Sequence, residues 1–331
     1  MELAELRERL TRFLRAHLDD PAAEVTYLEP GPGHAGFSYL FDAIAGGETR
    51  RYFLRLPPPN VRWEGTADVL RQVAALRALR GTGVPHAPVL WAGDDLQWFD
   101  RPYFIQPRVA GDVLRPAEIA RLTPAERRDR ARQAMAALAG IHRADWQEAA
   151  GYLGPFWGFE TDVTRWDRFA ERAAEPERLA LQPEVRRLLL AQAPTDARLG
   201  LCHGDFQWAN LMYTPDGRLA AVIDWELTGI GPVLSDLGWI CFFNDPQAWP
   251  PGEAAARMPG PEDLAAFYRE ASGEDLGALR WFQALAAYKF AVITGFNLML
   301  HRRGKRVDPH WEERVPGMET NLAYAHALLT G

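Results

Sequence analysis

Lysine is almost missing from this chain. Of its 37 basic residues only Lys289 and Lys305 are lysines, and the rest are arginines. Any mechanism that needs a side-chain amine before Lys289 is therefore excluded. Cysteine is scarce as well. Cys202 and Cys241 cannot build a disulfide framework and lack zinc-type spacing, so a reduced, cytoplasmic setting is expected. Basic charge is not in excess: 44 acidic residues give a formal net charge of −7, and no basic stripe marks a nucleic-acid footprint. Long apolar runs are absent too. The most apolar stretch, 284–300, is interrupted by Lys289 and Asn297 and falls short of the roughly 20 residues a span needs. It reads as a buried helix, and no membrane partner is expected. The N-terminal segment is too charged for a secretory leader. Its leucines and Phe13 recur at helical spacing, which predicts an amphipathic helix packed on the body rather than on a membrane surface. There are no internal repeats, and nothing reports the oligomeric state.

What is present suits two packed lobes: 331 residues, 47% hydrophobic and 24% charged. Residues 25–56 read as three strands, broken by a Gly/Pro-rich turn and closed by three prolines. Apolar spacing predicts a helix over 67–80, then strands near 89–92 and 103–106. Beyond Gly111 the pattern turns helical. Thr123-Pro124-Ala125-Glu126 is a helix start for a helix running to about 142, and further helices are expected over 162–173 and 183–192. Residues 211–223 read as a hairpin with a Pro-Asp-Gly turn. The expected division is a β-rich lobe over 1–110 and a larger, mainly helical lobe over 111–331.

Chemistry concentrates between Leu201 and Leu237. His203-x-Asp205 is followed by Asn210, then by the hairpin and Asp224. This is the layout of a phosphotransferase catalytic loop, H-x-D-x-x-x-x-N, with a metal-binding Asp at the end of a strand. Phosphoryl transfer to an alcohol needs a carboxylate to orient the hydroxyl and take its proton, which Asp205 suits. It also needs hard oxygen ligands for Mg²⁺, which the Asn210 amide oxygen and the Asp224 carboxylate suit. The competing explanation, in which His203 and Asp205 only cap a turn, is weaker because Asp224 falls where the chemistry requires it.

HGDFQWAN, then VIDWE, then Leu234-Ser235-Asp236-Leu237 together resemble the aminoglycoside phosphotransferase/choline kinase-like family, in particular the branch also found fused to acyl-CoA dehydrogenases. The likeness extends through LRLPPP, ALAGIHRAD and Trp166. It implies an α+β, bilobal protein-kinase-like fold, ATP and Mg²⁺ as cofactors, and a small hydroxylated substrate. It implies Asp205 as the base and Asn210 and Asp224 as metal ligands. Asp236 becomes a buried acceptor for backbone N–H groups of the catalytic loop, and His203 an architectural residue there. Glu226 is placed beside the substrate or metal, with a supporting role equally open. For His142, packing is favoured over catalysis. Gly33, His34, Ala35 and Gly36 fall in the turn that covers the phosphates.

Two departures stand out. Arg55 occupies the strand position where kinase-like proteins carry a lysine, and Gln72 stands where the partner Glu is expected, with Glu64 and Asp68 the nearest acids. The adenine is expected beside Gln106-Pro107-Arg108-Val109. Pro107 has no N–H, so Arg108 or Val109 must donate. For the acceptor, the aromatic residues from Trp239 to Phe290 read mainly as core, and Arg302, Arg303, Lys305 and Arg306 as either a solvated turn or an anion site. Two other readings stay open: a nucleotide-binding pseudokinase acting as scaffold or sensor, and, more distantly, a metal hydrolase.

Overall fold

The structure is a computed structural model that describes residues 1–31, 37–154, 156, 158–250 and 257–331. The chain opens with helix α1 (Leu3–Leu18), whose Leu6, Leu10, Phe13 and Leu14 lie on one buried face. Strands β1 (Glu24–Pro30), β2 (Ser38–Ala45) and β3 (Glu48–Arg55) follow. Next come α2 (Val69–Ala78), β4 (Trp91–Gly93), a single turn α3 (Leu96–Phe99) and β5 (Tyr103–Pro107). The strands form one antiparallel sheet in the order β1-β2-β3-β5-β4. The apolar face of α1 closes a core with Phe41, Leu54, Phe99 and Ile105. This helix therefore packs on the protein's own sheet. Arg55 ends β3, opposite Phe104 of β5 and Ser38 of β2.

The remainder is mostly helical. β6 (Asp112–Val113) and α4 (Pro116–Arg121) lead into α5 (Pro124–Arg143). The expected start of α5 is present: Thr123 Oγ1 accepts from the Glu126 N–H, and the Glu126 carboxylate accepts from the Thr123 N–H. Then come α6 (Gln147–Leu153), α7 (Phe159–Thr164), α8 (Asp167–Ala170) and α9 (Gln182–Ala191). The single helix expected over 162–173 is thus two short ones. At Arg165 and Trp166 the backbone ψ values of −19° and −11° tighten the turn and break the α-helical ladder. Strands β7 (Leu199–Cys202) and β10 (Gly229–Pro232) pair with each other. Between them β8 (Leu211–Tyr213) and β9 (Leu219–Val222) form the hairpin, with β6 on its edge. The chain ends with α10 (Leu234–Asn244), α11 (Pro261–Ser272), α12 (Leu279–Arg302), the single turn α13 (His310–Glu313) and α14 (Gly317–Thr330).

Helix α12 is long and apolar enough to cross a membrane by length and composition, yet 61% of that window is buried inside the protein. It packs between α10 and α14. At Gly238 a Cβ would stand 2.7 Å from the Phe282 backbone, so only glycine lets α10 lie this close to α12. The two hydrophobic cores divide unexpectedly. α2, read from sequence with the β-rich lobe, buries Val69, Val73, Leu76 and Leu79 in the larger core with α5, α10 and α12. The N-terminal sheet and α1 keep a separate, smaller core. The fold is α+β, with an antiparallel five-stranded sheet set against a larger helical body.

Candidate active site

The segment between β7 and β8 is fixed mostly through its backbone. Gly204 has φ +87°, and a Cβ there would lie 2.2 Å from the Leu227 carbonyl oxygen, so the turn after His203 demands glycine. Asp236, in the first turn of α10, is almost wholly buried and accepts the N–H of His203 at 2.7 Å and of Gly204 at 2.8 Å. His142, at the end of α5, reaches the same carboxylate through Nε2 at 3.2 Å and bonds Tyr268 Oη through Nδ1 at 2.7 Å. A carboxylate only accepts, so Nε2 carries the hydrogen and Nδ1 accepts from the tyrosine. Burial alone would push the Asp236 carboxyl up. The His142 bond and the Gly204 N–H outweigh it and hold the group below its ordinary value.

His203 is fully buried. Its Nε2 donates to the Ile223 carbonyl at 2.8 Å, and its Nδ1 accepts the Asp205 N–H at 3.2 Å. Both ring nitrogens are spent on joining the loop to the strand that delivers Asp224. The ring packs against Trp225 at 4.7 Å and Phe206 at 5.9 Å.

Asp205 carries three donors. Trp239 Nε1 reaches Oδ1 at 2.8 Å, Gln207 Nε2 reaches both oxygens at 2.9 Å, and Asn210 Nδ2 reaches Oδ2 at 3.0 Å. The Asn210 amide nitrogen also donates to the Asp205 carbonyl at 2.9 Å. Both of its partners are acceptors, which fixes the nitrogen there and turns the amide oxygen away from them. The Asn210 carbonyl accepts the Ile223 N–H at 2.9 Å, so the hairpin brings Asn210 beside the residue before Asp224. Asp224 has φ +63° and ψ +66°, a left-handed conformation that costs a non-glycine residue energy. Its carboxylate is exposed and makes no hydrogen bond among the described residues.

These groups meet the needs of Mg²⁺. The ion takes one or two protein oxygens and completes its shell with water and phosphate. An amide oxygen and an unbonded carboxylate, the latter on a strained backbone, fit that demand. Among the described residues no three His, Cys, Asp or Glu side chains converge into a fuller cage.

Arg55 has an acidic partner, but not the expected one. Its Nη2 lies 2.8 Å from Glu226 Oε2, across the cleft on the turn after Asp224. Gln72 does not serve Arg55: it is buried, and its amide nitrogen has no partner. α2 instead reaches the same turn through Arg71, which donates to the Thr228 carbonyl at 2.9 Å. Glu226 is half-buried. Burial first, then the Asp224 charge, push its carboxyl above the ordinary value, and Arg55 only partly opposes them.

At the expected adenine edge, the Arg108 N–H is already given to the Arg51 carbonyl at 2.9 Å, because the β3–β5 pairing runs on to this residue. Val109 is left as the donor. The Gln106 side chain turns inward to the Ala87 carbonyl at 2.7 Å. Gly33, His34, Ala35 and Gly36 lie outside the described residues. Of the aromatic residues in the C-terminal part, Tyr268, Trp281, Phe282 and Tyr288 are core, whereas Trp239, Phe243 and Phe290 are half-buried. Of the four basic residues at and beyond the end of α12, Arg302 is bound by Glu175 and Glu312, each at 2.7 Å. Sequence reasoning placed Trp239 among the core aromatics and did not single out Gln207; neither was linked to Asp205. For Trp239 the signal was its place one helical turn after Asp236, on the same face of α10.

Comparisons with known proteins bear on the family and the fold. A crystal structure from Ralstonia eutropha assigned to the aminoglycoside phosphotransferases superposes with a TM-score of 0.78 at 24% identity, covering 97% of this chain and 98% of that one. An aminoglycoside phosphotransferase in ternary complex with ADP and hygromycin B matches with a TM-score of 0.60 at 17% identity, covering 97% of each chain. Both likenesses concern the fold, which is protein-kinase-like. Acyl-CoA dehydrogenase family member 11 of Pongo abelii is 29% identical over 256 residues, 73% of this chain and 32% of that protein. The chain thus spans about a third of that relative's length. Viomycin phosphotransferase of Streptomyces vinaceus is 28% identical over 202 residues, 57% of this chain and 65% of that protein. The model of the phosphotransferase enzyme family matches residues 39–282, which takes in β3, the His203–Asn210 loop and the turn after Asp224, and to that family the chain belongs.

Proposed function

We propose that the protein is an ATP- and Mg²⁺-dependent kinase that transfers the γ-phosphoryl group to a hydroxyl of a small molecule, with Asp205 as the base. One observation carries this reading. The Asp205 carboxylate, the Asn210 amide oxygen and the Asp224 carboxylate sit on one loop–hairpin unit, with Arg55 facing it from the other side of the cleft. Membership of the phosphotransferase family and the nucleotide held by a protein of like fold support it.

Asp205 orients the acceptor hydroxyl and receives its proton as the oxygen attacks the γ-phosphorus. Asn210 and Asp224 would hold Mg²⁺, whose bound form neutralises charge on the phosphate oxygens. Arg55 offers a planar fork of donors to those oxygens, and Glu226 keeps it aimed at the site until they arrive. The Val109 N–H reads the adenine edge.

For the acceptor, the half-buried rings of Trp239, Phe243 and Phe290 form a floor beside Asp205, with ring centroids 5.0 to 6.2 Å apart. Residues 241–331 hold 11 acids against 9 bases. That suits an uncharged or weakly charged hydroxylated compound better than a polycation. The pseudokinase reading rests on the missing lysine and on Gln72; Glu226 gives Arg55 an acidic partner and so answers the second of these only.

The test is ADP release across a panel of aminoglycosides, amino alcohols, sugars, hydroxy acids and hydroxyacyl thioesters. Asp205→Ala should lower kcat by about 10²–10⁴-fold with an unchanged circular dichroism spectrum. Turnover that survives the substitution undiminished would overturn the mechanism.

A further inference from the structure

The donors on Asp205 leave no place for a substrate. A carboxylate offers about four lone-pair positions. Trp239, Asn210 and the doubly placed Gln207 amide supply four contacts to them. A hydroxyl that gives its proton to Asp205 must first hydrogen-bond to one of its oxygens. One occupant therefore has to leave.

Two of the three are built in. Trp239 belongs to α10, which Gly238 locks against Phe282, and its ring packs on Phe243 at 5.1 Å and Phe290 at 6.2 Å. Asn210 is tied by its backbone N–H to Gln207, by its carbonyl to Ile223, and by its amide nitrogen to the Asp205 carbonyl as well as the carboxylate. Gln207 is different. Its side chain is half-buried and reaches Asp205 from only two residues away. Among the described residues it makes no hydrogen bond other than those to the carboxylate. A single neutral donor spanning both oxygens is what an incoming hydroxyl would replace at least cost.

The indole is suited to the opposite task. Its N–H only donates, so it can hold Oδ1 without competing for the transferred proton. Asp236 and Trp239 stand one turn apart on α10. The first fixes the loop backbone and the second fixes the side chain of the base, so one rigid helix sets both.

Taking Asp205 as the base, we propose that Trp239 is the positioning residue that holds its carboxylate, and that Gln207 is the displaceable occupant of the place the acceptor hydroxyl takes. In the transfer the acceptor oxygen bonds to the γ-phosphorus while the bridging β–γ P–O bond breaks. The hydroxyl proton passes to the Asp205 oxygen that Gln207 has vacated, and the electron pair of the broken bond leaves on ADP.

The experiment measures ADP release from MgATP in Trp239→Phe, Gln207→Ala and Asp205→Ala, with water as acceptor and with any alcohol the panel yields. Trp239→Phe keeps an aromatic ring, though a smaller one, and loses one hydrogen bond to a charged group. It should lower kcat about tenfold or more while the KM for ATP stays within about twofold. Added to Asp205→Ala it should change nothing further, because it acts through that residue. Gln207→Ala should lower the KM for the acceptor about twofold or more, because no amide has then to be displaced from Asp205. Unchanged kcat in Trp239→Phe overturns the proposal, and so does a loss in Gln207→Ala as large as that in Trp239→Phe. Full activity in Asp205→Ala falls on the base assignment instead and is read separately. A second measurement does not depend on turnover. The Trp239 indole ¹H–¹⁵N resonance, identified by its loss in Trp239→Phe, should move in Asp205→Ala, and a resonance that stays in place overturns the bond itself.

Discussion

The two sides of the cleft are held in different ways. On the catalytic-loop side almost every polar group has a partner. His203 spends both ring nitrogens, Asp236 takes two backbone N–H groups and an imidazole, and Asp205 takes three donors. On the phosphate side, acids gather with little to neutralise them. Asp224 is exposed on a left-handed backbone, Glu226 feels its charge, and Arg55 is joined to them by one ion pair. Gln72 behind it has a buried amide nitrogen with no partner. The first side is set before any ligand arrives. The second carries surplus negative charge that a divalent cation would relieve, and its cation can exchange Glu226 for phosphate.

Three substitutions test this contrast, the largest effect first. Asp236→Ala should do most harm, since it orphans two buried N–H groups and the His142 imidazole. A loss of about 3–5 kcal/mol in denaturant unfolding is expected, with activity gone. A protein as stable as the parent would mean that the loop is not clamped from α10. Arg55→Ala should act on binding rather than folding. The Kd for MgATP by calorimetry should rise about tenfold or more, with stability within about 1 kcal/mol of the parent. Unaltered nucleotide affinity would take Arg55 off the phosphates.

Glu226→Gln should show the smallest effect, in the pH profile. Because the folded state raises this carboxyl, it binds a proton more tightly folded than unfolded. Its contribution is fully present below the ordinary value of 4.5 and is lost as pH rises through the raised one. The parent should therefore lose stability relative to Glu226→Gln across that window. Parallel Tm-against-pH curves for the two proteins would show that Arg55 neutralises Glu226 fully.

The same contrast explains what could be read from the chain alone. The catalytic loop is local: His203, Asp205 and Asn210 fall within eight residues, and Asp224 follows one hairpin later, so spacing exposes them. The α5 start was equally legible, because Thr123 and Glu126 lie in one turn. Arg55 and Glu226 are 171 residues apart. No periodicity links them, and a search within the β-rich lobe for the partner could only return Gln72, Glu64 or Asp68. The Arg108 N–H was lost to strand pairing that ran one residue past β5. α2 carries an ordinary amphipathic pattern, which tells that a face is buried but not which core buries it.

The guanidinium facing Glu226 also decides how the proposed nucleotide site can be approached chemically. Reagents that acylate amines, including nucleotide acyl phosphates aimed at a lysine over the phosphates, find none in the N-terminal sheet. Arg55 is not acylated under those conditions. Lys289 is largely buried against Asp162, which leaves Lys305 as the exposed lysine of this sequence. If the proposed site holds nucleotide, a survey that detects kinases by lysine labelling would pass over it, whereas dicarbonyl reagents selective for arginine, with MgATP as protectant, would report on it directly.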